Sequence, residues 1–200
     1  MEEAALVRNV TEFGDNALVS AYLEGNETAF EVLMTRYQGR LANYINGILH
    51  DYDRSVELCQ ETFIRVFRNA HRYQGKYQFS TWLYRIATNL AIDELRRRQR
   101  KGRFFLYNIM ELFSRDERPM PLPDRRQSPD LTYDAKQQRL KLKTAIDSLP
   151  EKYRLAFILK EVQDLSYEET AQVLNISLGT AKSRIHRAKL LLREKLSDLL

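Results

Sequence analysis

The chain has 200 residues, enough for one large domain or two small ones, and its 44% hydrophobic content is enough to build real cores. It has no run of eighteen apolar residues and no apolar leader behind the acidic Met1-Glu2-Glu3. A single cysteine excludes an internal disulfide framework, so neither a membrane span nor secretion is expected and the reducing cytoplasm is the expected location. The net charge of +5 is unevenly spread, with +1 over residues 1–102, −1 over 103–134 and +5 over 135–200, which points to a polyanionic partner for the C-terminal part.

Residues 1–15 show no strong period. A short helix is predicted from about Ala17 to Leu23, and Gly25-Asn26 breaks it. From Thr28 to about Leu49 a long helix is predicted. Its apolar residues Phe30, Leu33, Met34, Tyr37, Leu41, Tyr44, Ile45 and Ile48 recur at three- and four-residue steps. His50 to Asp53 supplies a break with capping residues. The next helix spans about Asp53 to Arg72, with Val56, Cys59, Phe63, Val66, Phe67 and Ala70 as its inner stripe. Cys59 on that stripe reads as a small buried hydrophobe. The outer face carries Glu57, Gln60, Glu61, Ile64, Arg65 and Arg68, and Ile64 is an apolar residue off the inner stripe.

Tyr73 to Phe79 reads as a polar-aromatic loop. Ser80 is placed to cap the following helix, whose apolar face holds Trp82, Leu83, Ile86, Ala87, Leu90, Ala91 and Leu95 and which ends in Arg96, Arg97, Arg98, Arg100 and Lys101. Four of the five prolines fall in residues 103–134, the composition of an extended linker. Within it Phe104 to Phe113 is apolar enough for a helix docked on a domain or on a partner, and the sequence does not choose between them.

A helix from Tyr133 to Ser148 follows, with Leu142, Ala145, Ile146 and Leu149 inside. Pro150 suits the start of the next, about Glu151 to Val162, whose stripe is Leu155, Ile158, Leu159 and Val162. From Leu165 to Lys189 the pattern is two helices and a tight turn. Ser166 with Glu169 makes a capping box, Ala171 and Leu174 face inward, and Asn175-Ile176-Ser177 turns the chain. The last helix buries Ala181, Ile185, Ala188 and Leu192 and exposes Lys182, Ser183, His186, Arg187 and Lys189. This is the layout of a helix-turn-helix. No segment alternates with period two. The expected fold is all-α: two small helical domains, 17–102 and 135–200, joined by a flexible linker, 103–134.

Three blocks in order resemble the sigma factors of bacterial RNA polymerase. Asp51 to Phe67 is similar to the helix that binds the polymerase core. Phe79 to Arg97 is similar to the segment that melts promoters and reads the minus-ten element. Leu149 to Arg154, with the helix-turn-helix, resembles the region-four domain that reads the minus-thirty-five element. The spacing, without further domains, resembles the extracytoplasmic-function (ECF) type.

The resemblance implies a promoter-recognition factor with no catalysis and no cofactor or metal. It implies that Glu57, Gln60, Glu61, Ile64 and Arg65 meet the clamp helices of the largest polymerase subunit. It assigns Tyr73, Tyr77, Phe79, Tyr84 and Asn89 to unpaired promoter bases, where aromatic stacking is worth about 1–3 kcal/mol per base and an amide reads base edges. Trp82 reads more readily as core. Arg85, Arg96, Arg97, Arg98, Arg100 and Lys101 would bind phosphates.

On the last helix the resemblance places Lys182, Ser183, His186 and Arg187 at minus-thirty-five bases, and Thr180, Arg184 and Lys189 suit phosphates. His186 departs from the basic or aromatic choice and leaves the base preference there open. The implied partners are polymerase core, double- and single-stranded promoter DNA and, in many relatives, an anti-sigma factor. A lone helix-turn-helix regulator would need a sensor or dimerisation domain in place of the first module. A recombinase or nuclease would need a carboxylate cluster; Asp51 with Asp53 and Glu168 with Glu169 sit at helix starts, where capping explains them.

Overall fold

The computed structural model describes residues 13–73, 75–110 and 133–197. Its helices are α1 (Asp15–Leu23), α2 (Glu27–Leu49), α3 (Tyr52–Asn69), α4 (Phe79–Met110), α5 (Tyr133–Asp147), α6 (Glu151–Phe157), α7 (Tyr167–Val173) and α8 (Leu178–Ser197). A 3₁₀ turn, Ala70–Arg72, closes α3, and a π-helical turn, Ile158–Val162, continues α6. No strand occurs among the described residues.

Local chemistry sets the breaks in the first module. Gly25, at φ +102°, takes the chain out of α1 in a conformation that L side chains rarely adopt. Asn26 then caps α2 by accepting from the Ala29 amide. Asp51 caps α3 by accepting from the Arg54 amide at 3.1 Å. Leu33, Leu41, Ile45 and Ile48 of α2 meet Leu58, Phe63 and Val66 of α3 and Leu83, Ala87 and Ala91 of α4, all buried. Among the polar residues buried on these helices are Ser55, Thr62 and Thr88. Each donates its hydroxyl to the carbonyl four residues back, at 2.5, 2.7 and 2.6 Å, which removes the cost of burying it.

In the second module α6 opens after Pro150, whose carbonyl accepts from the Tyr153 and Arg154 amides. The capping box is complete: the Glu169 amide donates to Ser166 Oγ at 3.1 Å, and the Ser166 amide donates to Glu169 Oε2 at 2.8 Å. Asn175, at φ +51°, makes the turn into α8. Ala181, Ile185, Ala188 and Leu192 are all buried, as their spacing predicts.

Several expectations are corrected. Ser80 does not cap α4, because the helix begins one residue earlier at Phe79. The helix also does not stop at the arginine run but continues to Met110, so the predicted boundary at 102/103 falls inside it. Residues 111–132, most of the predicted linker, and Glu111 to Phe113 of the apolar stretch lie outside the described residues. Leu142 is exposed. Phe67 is half exposed and Val56 only partly buried; Ser55, Leu58 and Thr62 take the inner positions instead. Val162 is 52% exposed, while Gln163 is buried. The π turn explains that exchange: the Gln163 amide bonds the Ile158 carbonyl five residues back, and the extra residue rotates everything after it.

The two modules share one core. Leu155, Ile158, Leu159, Leu165 and Val173 of the second join the apolar cluster of the first, and burying side chains of this size is worth about 1.5–3 kcal/mol each. Gly47 makes the approach possible, since a Cβ there would lie 3.2 Å from Ile158 Cδ1. Polar bonds cross the same seam. Arg40 Nη2 donates to the Gln163 carbonyl at 3.2 Å, Tyr84 donates its hydroxyl to Gln163 Oε1, and Thr81 donates to Glu169 Oε1 at 3.0 Å.

Candidate nucleic-acid interface

The loop between α3 and α4 and the first two turns of α4 enclose an open cleft of about 320 Å3. Tyr73, Tyr77 and Trp82 give it aromatic faces, while Arg72, Lys76 and Arg85 give it positive charge. Gly75, at φ +65°, bends the loop around it. Tyr73 is held in place: its hydroxyl bridges the Asn16 side-chain oxygen at 2.6 Å and the Tyr77 carbonyl. Its ring lies 5.2 Å from Trp82 at 30° and 6.3 Å from Phe79 at 80°. Burial pushes its hydroxyl pKa upward, so it stays a neutral donor. Tyr77 is 41% exposed, with the Lys76 ammonium 5.6 Å from its ring. Chemically this is a slot for a flat, electron-rich ring beside a phosphate: stacking faces, guanidinium and ammonium donors, and no nucleophile.

The structure separates the sequence candidates for this site. Tyr73, Tyr77 and Arg85 line the cleft. Phe79 does not, because it is fully buried beneath it, packed on Tyr37 at 5.6 Å and supporting Tyr73 and Trp82 from below. Tyr84 is also buried, edge-on to Tyr44 at 5.1 Å with its hydroxyl on Gln163. Both aromatics are core, and the stacking role expected of them is withdrawn for this arrangement. Asn89 is exposed one turn beyond Arg85 on the same face of α4 but does not line the cleft. Farther along α4, among the described residues Arg96 pairs with Asp93 alone, at 3.5 Å and well exposed, whereas Arg97 is engaged by Glu94 at 2.8 Å. Trp82, read as core, is half buried and lines the cleft. Arg72, Lys76 and Thr81 were missed, although the basic residues around the aromatic loop were a visible signal.

On α8 the exposed face is continuous: Lys182, Ser183, His186 and Arg187 all reach solvent. Ser177 caps the helix by accepting from the Thr180 amide at 3.2 Å, and the Thr180 and Ser177 hydroxyls are bonded at 2.8 Å. Ser183 donates back to the Thr180 carbonyl at 2.9 Å. Thr180 and Arg184 are half buried at the edge of that face. Lys189 is paired with Glu161 at 2.9 Å, which raises its pKa. Lys182 lies 5.9 Å from the Tyr167 ring.

A second surface lies on the other side of the first module. An apolar groove of about 760 Å3 runs between α2 and α3, with Phe30, Met34, Val56, Phe63 and Phe67 along it and Gln60 and Ile64 at its edge. Ile64 is 44% exposed and Tyr52 41%. Glu57, Glu61 and Arg65 lie on the neighbouring stripe of α3, outside the groove; Glu61 and Arg65 are paired at 2.8 Å, and Glu57 accepts from Arg54. The Cys59 thiol, at the groove floor, donates to the Gln38 carbonyl, and burial pushes its pKa up to about 11, so it is not a reactive thiolate.

Residues 33–101 match the family model for sigma-70 region 2, and residues 139–192 match that for sigma-70 region 4. The ECF RNA polymerase sigma factor SigW of Bacillus subtilis is 34% identical over 183 residues, covering 88% of this chain and 93% of SigW. The chain belongs to the ECF sigma factors. It is also 40% identical over 158 residues to the ECF RNA polymerase sigma factor SigE of Mycolicibacterium smegmatis, which covers 79% of this chain and 56% of that relative's length. Among solved structures, the sigma factor RpoE of Bartonella quintana, in complex with the anti-sigma factor NepR, superposes with a TM-score of 0.64 at 24% identity, over 84% of this chain and 96% of that one. That likeness is one of fold.

A sigma factor recognises promoters and starts transcription with RNA polymerase in the cell interior, without catalysis of its own. The carboxylates considered for an enzyme have other work here: Asp51 and Glu169 are helix caps. Among the described residues no group of three or more His, Cys, Asp or Glu is arranged to hold a metal, and no helix is long and apolar enough to cross a membrane.

Proposed function

We propose that the cleft on α4 receives an unpaired promoter base, and that α8 lies in the major groove at the upstream element. The observation that carries this reading is the joining of Tyr73, Tyr77 and Trp82 with Arg72, Lys76 and Arg85 in one open cleft. Stacking captures a base only once it has left the duplex, so each captured base favours melting by about 1–3 kcal/mol. Arg85 and, beyond it, Arg96 hold the backbone of the displaced strand, and Asn89 reads a base edge outside the cleft. On α8, Arg187 pairs with a guanine, Lys182 reaches guanine acceptors, and Ser183 and His186 complete the base-facing surface. Thr180, Arg184 and Lys189 act at phosphates, and Lys189 does so only by leaving Glu161.

The α3 face with Glu57, Gln60, Glu61, Ile64 and Arg65 docks on the clamp helices of polymerase, and the neighbouring apolar groove accepts an amphipathic segment, as an anti-sigma factor presents. The protein acts in the cytoplasm, in three functional parts, 17–102, 103–134 and 135–200, with α4 running across the first boundary. The test is holoenzyme assembled from purified chain and polymerase core. It should form an open complex at selected promoters, and Tyr73→Ala with Trp82→Ala should leave core binding intact while open-complex formation falls by tenfold or more. Equal losses in both would sink the assignment of the cleft to DNA.

A further inference from the structure

The arginine run at the end of α4 is divided by an internal carboxylate. Glu94 is only 6% exposed and receives three guanidinium groups. Arg97 Nη2 lies 2.8 Å from Oε2, Arg98 Nε 3.1 Å from Oε1 and Arg54 Nη2 3.1 Å from Oε2. Arg98 also reaches Asp51 Oδ2 at 2.8 Å, and Arg54 also donates to Glu57. Desolvation works against the charge, but the hydrogen bonds from Arg97, Arg98 and Arg54 outweigh it and hold the Glu94 carboxyl at about 2. Arg96 and Arg100 stand outside this cluster and are exposed.

Two guanidiniums converging on paired acceptor oxygens is also how arginines engage a phosphate. We propose that Glu94 is a positioning residue for promoter binding: it occupies Arg97 and Arg98 in place of DNA phosphate and leaves Arg96 and Arg100 to contact the backbone. The proposal rests on the reading of α4 as the DNA-facing helix. Its functional consequence is selectivity. Phosphate contacts carry no sequence information, and an unrestrained run of arginines binds any duplex. Withholding two of them weakens binding to every sequence alike and leaves discrimination to the bases read by the cleft and α8. Glu94 also ties α4 to the start of α3 through Arg54, so the same carboxylate fixes the direction in which α4 leaves the module.

The test is a salt titration of holoenzyme binding to a labelled duplex of random sequence. The slope of log affinity against log salt changes by about 0.9 for each phosphate engaged. Glu94→Gln should steepen the slope by about 1–2 and tighten random-duplex binding at low salt. Adding Arg97→Ala and Arg98→Ala to that variant should restore the original slope, while in the wild-type background the same pair of alanines should leave it unchanged. A merely structural role for Glu94 lowers the melting temperature without steepening the slope, and that result overturns the proposal. Asp51→Asn provides a second route should Glu94→Gln fold poorly: asparagine still caps α3, Arg98 alone loses a partner, and a smaller steepening is expected; a flat response there counts against Glu94 as well. If the slope is unmoved in Glu94→Gln but shallower in Arg96→Ala/Arg100→Ala, the role of Glu94 fails alone. If it is unmoved in both, the DNA-facing reading of α4 fails with it.

Discussion

Arg187 and Ser166 differ in kind: one stands on the surface proposed to read DNA, the other holds the helix-turn-helix in place. Arg187 is exposed on α8 beside Lys182 and Ser183, backed by fully buried Ala188. Its replacement by alanine removes the proposed base contact without disturbing the core. Binding of the holoenzyme to single-base promoter variants should lose about 1–3 kcal/mol of discrimination at one position; a loss equal across all sequences would make it a phosphate contact. Ser166→Ala removes one half of the capping box. It should cost about 1 kcal/mol of stability, read by denaturant unfolding, with the bases preferred by α8 unchanged. At this scale the sequence was legible wherever periodicity decides which way a side chain points, as for all four buried residues of α8. It was not legible for the aromatics. Phe79 and Tyr84 carry the residue type that stacks on bases, yet they are buried, and the hydroxyl of buried Tyr84 is bonded to Gln163, 79 residues away in the chain.

Among the helices, α3 does two jobs with two faces. Its buried stripe of Ser55, Leu58, Cys59, Thr62, Phe63 and Val66 fixes it to α2 and α4, while the opposite side leaves Ile64 and Phe67 beside an open groove. Ile64→Glu puts a charge on the apolar spot proposed to meet polymerase, so polymerase-core affinity should fall by at least tenfold in a pull-down titration while the melting temperature stays within about 2 °C, since exposed sites shift stability little. The junction of α3 with α4 should also respond to acid. Hydrogen bonds from Arg97, Arg98 and Arg54 depress the folded pKa of Glu94 to about 2, below its ordinary value. Its stabilising contribution is therefore complete above the ordinary glutamate range and is lost as pH falls toward 2. A pH series of thermal melts should show a smaller drop over that interval in Glu94→Gln than in wild type. The start of α7 was legible from Ser166 and Glu169, because a capping box is local chemistry, whereas Asn26 read only as a breaker and Ser80 as a cap that α4 does not use. The π turn at Ile158–Val162 was not, because the sequence there continues a regular helical period, and the exchange of Val162 for Gln163 follows from a backbone bond that no side chain announces.

As a whole molecule, the chain packs against each other the two modules proposed to read DNA. Thr81 at the cleft donates to Glu169 of the helix-turn-helix at 3.0 Å. The minus-ten and minus-thirty-five elements proposed for them lie, by their names, about 25 base pairs apart, roughly 85 Å at 3.4 Å per base pair. The 22 residues from 111 to 132 can reach at most about 75 Å when fully extended, and the dimensions of the modules supply the remainder. On the proposed reading, engagement of one promoter by both modules requires them to part across the seam formed by Ile158, Leu159, Gln163 and Glu169. Parting exposes the apolar side chains of that seam, and polymerase binding has to offset this cost. Weakening the seam without touching either DNA surface separates the two states. Gln163→Ala removes the acceptor of Tyr84 and leaves a buried hydroxyl unpaired, a loss of about 1–3 kcal/mol. The free variant should scatter X-rays with a larger radius of gyration than wild type, and it should bind polymerase core more tightly because less of the binding energy is spent on separation. Unchanged scattering with unchanged core affinity would mean that the seam contributes nothing to the resting state of the molecule.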